Sequence, residues 1–372
     1  MIGFKNRFLA GMVIFIVVNV ILSIVFIPLN FYVRIDVDEW QAFALEISRK
    51  LLDPNYTMNP NFQQYTHSFT PLFPLLAGLL GTFLNVTFAC VLVSCSFSLL
   101  SLLILAQFAK KKYAFDETQR YKLIMLFCTS YMLFIYFAVP SFPEQIELFF
   151  SIFNLYTLYC FFEVQNKKTS SFLIVSYALS LYTREILWPM LAFPLLFLFA
   201  KVILSRKEKK VLSKDNIILF IKLLLFTIIL PAAFYLPFLI SFDLVDVIFS
   251  RISILGTAGK TLPDLIIGLA SGFGIIWFYV IYRIKDVFKE QKNRIIILWI
   301  LYYLLYRLIA PGPLYGRYWI PIVFCVYLLA FWAIDIRIIQ IGRIKITYWR
   351  AMALNIVVNV AVYILNIIIN SG

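Results

Sequence analysis

The chain has 372 residues, of which 62% are hydrophobic and only 14% are charged, against roughly 25% charged in a typical soluble domain. So few charges cannot cover the surface of a water-soluble globule of this size, which excludes a soluble enzyme, a disordered chain and a coiled coil. The net charge of +14 comes from short basic clusters between long apolar runs, which is typical of the cytoplasmic loops of a membrane protein and argues against a nucleic-acid partner.

Apolar runs long enough to lie in a bilayer recur along the chain. We predict eleven membrane segments, at 8–30, 85–108, 121–139, 144–162, 171–182, 186–203, 217–240, 265–283, 295–310, 317–334 and 351–368. The segments 171–182 and 186–203 are short and are predicted to form a bent pair, while the apolar stretch 71–84 is too short to span. The sequence therefore predicts an all-α, polytopic membrane helical bundle, with residues 1–372 forming one membrane domain and no soluble domain.

Most of the 33 Lys and Arg residues fall in alternate loops, as the positive-inside rule requires if the N-terminus is cytoplasmic. This orientation places the first long loop, residues 31–70, on the extracytoplasmic side. The richness in Phe, Ile, Lys and Asn is typical of an AT-rich genome and favours a multi-pass protein of a prokaryotic plasma membrane.

The loop 31–70 opens with three acids, Asp36, Asp38 and Glu39, in a chain that has only 19 acidic residues. An apolar stripe at helical spacing follows them: Trp40, Phe43, Ala44, Ile47 and Leu51. This pattern predicts an amphipathic helix in the membrane interface, with Asp38 as its N-cap and its end near Asp53-Pro54. The structural alternative is that Asp38 is only a cap and Asp36 only a solvated loop acid.

Five stretches share an order and a predicted side of the membrane: Asp36-Val37-Asp38-Glu39, residues 65–76, Pro140-Ser141-Phe142-Pro143-Glu144, Tyr182-Thr183-Arg184 with Pro189, and Gly316-Arg317-Tyr318-Trp319-Ile320-Pro321. Together they resemble the GT-C superfamily of integral-membrane glycosyltransferases, which use polyprenyl-phosphate sugars as donors. The first stretch is similar to the D-x-D or D-E acids of that family, and the second to the proline-leucine stretch that closes its first loop. The acid-to-proline spacing most resembles the mannosyltransferase that adds the first mannose in GPI-anchor synthesis.

The resemblance implies an inverting transferase that moves mannose or another hexose from a polyprenyl-phosphate donor in the lipid bilayer to a glycan, lipid or protein acceptor outside the cytoplasm. Asp38, which both motif variants share, would act as the catalytic base, and Asp36 or Glu39 would orient it. Asp36 and Asp38 would also hold a divalent cation, Mg²⁺ or Mn²⁺, if one is used, since metal use differs within the family.

Four further residues are expected to contact substrate: Arg317, Arg184, His67 and Glu144. Arg317 would bind the donor phosphate through its guanidinium fork, and Arg184 lies between two short helices, where an ionisable group at membrane depth indicates function. Each has a structural alternative: a lipid-headgroup contact for Arg317, a local pair with Glu185 for Arg184, a helix-dipole acid for Glu144, and an interfacial role for His67.

Two more ionisable residues accompany these. Glu147 follows Glu144 by three residues, so the two acids are expected to share one face of a helix. Arg307 lies in the ninth predicted segment, where it either serves the site or extends its charged end to the interface.

Two other classes fit a membrane protein of this size. A transporter or flippase of lipid-linked sugars is expected to have ionisable residues near helix centres and paired broken helices in two halves. A polysaccharide polymerase or ligase is expected to depend on external arginines more than on first-loop acids. Because the acids gather in the predicted outer loop, the sequence favours the transferase.

Overall fold

The computed structural model of the chain describes residues 31–57, 70–130, 143–204, 213–241, 268, 272–309, 316–336, 339–341 and 344–371. The predicted segment 8–30 and His67 lie outside the described residues. Within these ranges the regular structure is almost entirely helical.

The elements follow one another in chain order. The first half contains α1 Phe31–Leu52, α2 Leu72–Gly81, α3 Val86–Tyr113, α4 Glu117–Cys128, α5 Glu144–Glu163, α6 Lys167–Leu181, a 3₁₀ helix Glu185–Ala192 and α7 Phe193–Leu204. The second half contains α8 Lys214–Leu224, a π-helical turn Leu225–Ile229, α9 Leu230–Ser241, α10 Ile276–Tyr282, α11 Ile284–Lys289, a 3₁₀ helix Gln291–Asn293, α12 Arg294–Ile309, a 3₁₀ helix Gly316–Trp319, α13 Ile320–Ile336, β1 Ile339–Ile341, β2 Ile344–Ile346 and α14 Tyr348–Ser371.

Three helical segments among the described residues are long and apolar enough to cross a membrane: α3, α5 and the run Lys214–Ile240. The predicted bent pair is present as α6 and the continuous apolar run Leu187–Ile203, with a break around Tyr182–Arg184. The predicted short stretch 71–84 forms α2, a helix of 10 residues. The expectation of an all-α membrane bundle is therefore confirmed.

The centre of the bundle is α13. Its side chains are buried around almost the whole circumference of the helix, and it packs against α4, α5, α10 and α12. A helix that is apolar on every side is expected at such a central position. The run Lys214–Ile240 is the opposite case, because most of its apolar side chains are exposed at the edge of the bundle.

The first helix begins earlier than the sequence predicts. Asp36 and Asp38 lie within α1, which already includes Phe31, so the prediction of Asp38 as an N-cap is wrong. No Pro or Gly interrupts residues 31–52, and nothing in that stretch stops the helix from continuing through the acids. The end of α1 at Leu52 agrees with the predicted stop before Asp53-Pro54.

The amphipathic character of α1 is confirmed, because Trp40, Phe43 and Ala44 of the predicted apolar stripe are buried, whereas Leu51 at its end is exposed. The rings of Trp40 and Phe73 meet edge to face, with centroids 5.9 Å apart. A Cβ on Gly78 of α2 would lie 2.8 Å from the Ala44 carbonyl oxygen and 2.7 Å from Ile47 Cγ2. Glycine therefore permits the close approach of α1 and α2, and α2 in turn packs on α3.

A small antiparallel hairpin, β1 and β2, joins α13 to α14 and was not predicted. It pairs Ile339 with Ile346 and Gln340 with Lys345. The alternation of Ile with polar residues around Gly342 is the sequence signal for such a hairpin, but it is only three residues long on each side.

Two asparagines fix α14 to the bundle. Asn355 Nδ2 donates to Thr129 Oγ1 at 3.0 Å and to the Tyr327 hydroxyl at 2.9 Å, and Asn359 Nδ2 donates to the Thr129 carbonyl. Gly274 has φ +57°, and a Cβ there would lie 2.4 Å from Asn359 Oδ1 and 2.7 Å from Asn355 Oδ1. This contact between helices therefore requires glycine for both its dihedral angle and its size.

Candidate active site

The turn between α6 and the following 3₁₀ helix carries a buried arginine. Arg184 has an extended backbone, with φ −159° and ψ 143°, and directly precedes the 3₁₀ helix. Pro189 within that helix lacks a backbone N–H, which disfavours a regular α-helix here and accounts for the separate short segment. The Arg184 side chain is only 4% exposed.

Arg184 forms a buried ionic group with two carboxylates of α5, Glu144 and Glu147. Its Nη1 donates to Glu144 Oε1 at 2.8 Å and lies 3.8 Å from Glu147 Oε2. Both carboxylates are 1% exposed and occupy the first turn of α5, three residues apart on one face. That position is favourable for acids because of the helix dipole.

Glu144 retains capacity to bind a ligand. Arg184 reaches Glu144 across 40 residues of sequence, so the arginine does more than pair with its neighbour Glu185. The second carboxylate oxygen, Glu144 Oε2, is buried and has no hydrogen-bond partner among the described residues. Because buried acceptors are normally satisfied, this oxygen is suited to accept a hydrogen bond from a ligand hydroxyl.

A second buried arginine, Arg307, lies at the C-terminal end of α12. It is 3% exposed, and its Cζ lies 4.8 Å from the centroid of the Tyr318 ring. The Tyr303 hydroxyl donates to the Tyr318 carbonyl, and the neighbouring Tyr302 hydroxyl donates to the Pro189 carbonyl at 2.7 Å. Tyr302 and Tyr303 of α12 therefore connect the Tyr318 turn, over which Arg307 lies, with the 3₁₀ helix that follows Arg184.

The residue Arg317 lies in the 3₁₀ helix Gly316–Trp319, directly before Tyr318. Its side chain is outside the described part of the structure. The backbone around it is fixed by the Tyr303 hydrogen bond and by Trp299 Nε1, which donates to the Pro321 carbonyl at 2.9 Å. The predicted Arg-Tyr-x-x-Pro turn is therefore adjacent to the buried polar region.

The first-loop helix is connected to the same region through α2. The backbone N–H of Leu72 donates to the carbonyl of Tyr182 at 2.9 Å, two residues before Arg184. Phe73 contacts Trp40, which follows the half-buried Glu39. The side chains of Asp36 and Asp38 are not among those described, so their roles stay predictions, as does that of His67.

The expectation that Asp36 and Asp38 hold a divalent cation also stays a prediction. Asp36 and Asp38 lie in α1, but their side chains are outside the described part of the structure. Among the residues that the structure describes, no cluster of three His, Cys, Asp or Glu side chains forms a metal site.

Sequence reasoning placed Glu144 and Glu147 on one helix face, but it did not connect them to Arg184 or Arg307. It missed Tyr303, which is one of three tyrosines in α12 and is not distinguished in the sequence from Tyr302 and Tyr306. It described the stretch 71–84 only as too short to span, whereas α2 connects α1 to the Arg184 turn.

No protein-family model matches the sequence, and a search among curated proteins returns no match. Among solved structures, the chain is similar to ArnT from Cupriavidus metallidurans bound to undecaprenyl phosphate, with a TM-score of 0.60 over 88% of this chain. ArnT is a GT-C glycosyltransferase. The chain has the GT-C fold. At 12% sequence identity the likeness establishes the fold, and the chain spans 60% of the length of that ArnT chain. The GT-C fold and the apolar helices together indicate a membrane location.

Proposed function

We propose that this chain is an inverting glycosyltransferase that moves a sugar, mannose or another hexose, from a polyprenyl-phosphate donor to an acceptor outside the cytoplasm. The observation that carries the proposal is the meeting of α2, the Arg184 turn, the first turn of α5 and the Tyr318 turn around one buried polar region of a GT-C fold. The likeness to an ArnT structure bound to undecaprenyl phosphate supports a lipid-phosphate donor.

The proposed chemistry divides among three groups. Asp38 takes the proton of the acceptor hydroxyl, and the acceptor oxygen attacks the anomeric carbon of the donor sugar. The bond between that carbon and the phosphate oxygen breaks, and its electron pair leaves with the lipid phosphate. Arg317 stabilises the charge that develops there. Attack opposite the leaving phosphate inverts the anomeric configuration.

The Glu144–Arg184 pair is assigned to sugar recognition. Glu144 Oε2 accepts a hydrogen bond from a hydroxyl of the transferred sugar, while Arg184 holds the Glu144 carboxylate in one orientation. A polar site that is buried in this way discriminates strongly against a sugar lacking that hydroxyl, because the carboxylate oxygen would then stay unsatisfied. Glu39 and His67 are assigned supporting contacts, and no step is routed through a metal.

The test is an in vitro transfer assay with purified protein and a panel of polyprenyl-phosphate sugars, with and without chelator. We expect Asp38→Asn to reduce turnover by roughly 10²- to 10⁴-fold, the range for loss of a general base. Asp53→Asn is the matched control, since Asp53 follows the other end of α1 in an exposed turn.

Full transfer by Asp38→Asn would remove Asp38 from the mechanism. A wild-type protein that moves lipid-linked sugars between the leaflets of a vesicle, without forming a glycosidic product, would replace the transferase by the flippase alternative.

A further inference from the structure

A group of lysines, which we call the basic rim, surrounds the C-terminal end of α5. It consists of Lys111 and Lys112 in the last turn of α3 and Lys201 in the last turn of α7. Because α5 has 20 residues, it is about 30 Å long, which is the thickness of the hydrocarbon core of a bilayer. The basic rim therefore lies across the membrane from Glu144 and is separate from the candidate active site.

Two ammonium groups of the basic rim lie over aromatic rings of α5. Lys112 Nζ is 4.5 Å from the centroid of the Tyr159 ring, and Lys201 Nζ is 5.4 Å from the centroid of the Phe162 ring. Cations within about 6 Å of a ring centroid are attracted to the ring face. These contacts hold the charged ends of the lysines around α5.

The basic rim has more positive than negative charge. Its neighbouring acid, Glu163, lies 3.7 Å from Lys111 Nζ and also accepts a hydrogen bond from the Tyr159 hydroxyl. Lys112 is only 8% exposed, and it has no ion pair in the part of the chain that the structure describes.

A buried ammonium without a counter-ion is costly. The ring face of Tyr159 offsets part of that cost for Lys112, but the N–H groups of the ammonium still require oxygen acceptors. An anion with several oxygens, such as a phosphate, would supply both the missing charge and the acceptors.

The position of the basic rim indicates a phosphate that belongs to a lipid. The 28 residues of α3 give a helix about 42 Å long, which matches the roughly 40–45 Å of a bilayer with its headgroups. The last turn of α3 thus reaches the level of the lipid phosphates. Leu100, which is 41% exposed, precedes Lys111 by eleven residues and lies within about 20° of it around the helix axis. A lipid whose acyl chain lies along Leu100 would therefore bring its phosphate to Lys111.

We propose that the basic rim binds the headgroup phosphate of an anionic phospholipid, in the leaflet opposite the candidate active site. Lys111 and Lys112 contact the phosphate, and Lys201 lies beside them. Lysines near a membrane surface attract anionic lipids, and the buried position of Lys112 turns that general attraction into a specific site. The inference does not depend on the proposed sugar transfer.

The test measures bound lipid directly. Full-length protein in detergent is equilibrated with equal amounts of dioleoyl phosphatidylglycerol and dioleoyl phosphatidylcholine, and the retained lipid is counted by native mass spectrometry. The attraction of one lysine corresponds to roughly 5-fold in affinity, so two lysines predict a preference of about 30-fold for phosphatidylglycerol.

Two glutamine variants distinguish a site from general surface charge. We expect Lys112→Gln to lower the preference for phosphatidylglycerol roughly 5-fold. Lys110→Gln is the matched control, because Lys110 is in the same turn of α3 but is exposed and is not part of the basic rim. It should retain the preference.

A third variant guards against loss of binding through misfolding. Glu163→Gln removes the carboxylate that competes for Lys111, so we expect the preference for phosphatidylglycerol to rise roughly 2- to 5-fold. Inorganic phosphate, which has no acyl chain, is added to the wild-type protein in a separate series, and we expect it not to displace phosphatidylglycerol.

Four outcomes would each overturn the proposal: an unchanged preference in Lys112→Gln, an equal loss in Lys110→Gln, no gain in Glu163→Gln, or displacement of the lipid by inorganic phosphate. An equal loss would mean that the surface attracts anionic lipids without a site. Displacement would mean that the basic rim binds phosphate without a lipid.

Discussion

Replacing Arg184 by Gln would leave two buried carboxylates without their cation. The guanidinium nitrogen lies 2.8 Å from Glu144 and 3.8 Å from Glu147, and neither acid has significant contact with solvent. The variant keeps a polar side chain of similar length, so the change tests charge more than packing. We expect Arg184→Gln to be strongly destabilised.

The magnitude follows from the two distances. With an effective dielectric constant of about 20, unit charges at these separations attract by roughly 6 and 4 kcal/mol, and the cost of removing three charged groups from water offsets most of that attraction. Breaking a buried pair by removing one partner costs about 3–5 kcal/mol, because a charge stays buried and uncompensated. Two acids lose their partner here, so the upper half of that range is expected.

A double-mutant cycle isolates the pair. Adding Glu144→Gln to Arg184→Gln removes one of the buried charges, and we expect it to restore about 2–3 kcal/mol. The free energy of unfolding is measured by titrating protein in mixed micelles with sodium dodecyl sulfate and following helicity. Arg49→Gln is the control, since Arg49 is 52% exposed and lies 3.7 Å from Glu46, and it should leave the unfolding free energy nearly unchanged.

A loss below about 1 kcal/mol for Arg184→Gln, or strictly additive effects in the cycle, would refute the assignment of a buried ionic group at this turn.

Two further predictions concern other parts of the bundle. Gly274→Ala should cost at least about 2 kcal/mol of unfolding free energy, because a Cβ would contact Asn355 and Asn359 at under 3 Å from a backbone with positive φ. An equally stable variant in the same detergent titration would contradict that account of the α14 contact. Arg317→Ala should raise the Michaelis constant for the polyprenyl-phosphate donor roughly tenfold or more and leave that for the acceptor nearly unchanged. Equal donor constants in variant and wild type would exclude Arg317 from the phosphate site.

Local signals in the sequence predicted the elements well. The break at Tyr182–Arg184, the short helix at 71–84 and the end of α1 before Asp53-Pro54 all follow from proline positions and from the length of apolar runs. The start of α1 was mispredicted because an acid cluster resembles a capped helix terminus, although no Pro or Gly lies between Phe31 and that cluster. Capping residues indicate where a helix is able to begin, and they do not prevent it from beginning earlier.

The site was harder to predict than the elements. The Glu144–Arg184 contact joins residues 40 apart, and the Tyr303 contact connects α12 to the following 3₁₀ helix. Apolar patterning shows which residues face the protein interior, but within a bundle it does not determine which helices are neighbours. The order of the motifs along the chain suggested one site, and only the packing of α2, α5 and α12 identifies its members.

The π-helical turn Leu225–Ile229 has a geometric consequence for the outermost long helix. The Leu230 N–H bonds to the Leu225 carbonyl five residues earlier, which inserts one residue relative to an α-helix and rotates everything beyond it by about 100°. As a result, α8 turns Ile217 and Phe220 toward α7 while α9 turns Tyr235 toward Tyr182 and Trp188. The residues before and after the turn thereby pack against two different neighbours. Deletion of a single residue from the turn would reverse this rotation, and one of the two contacts would then be lost.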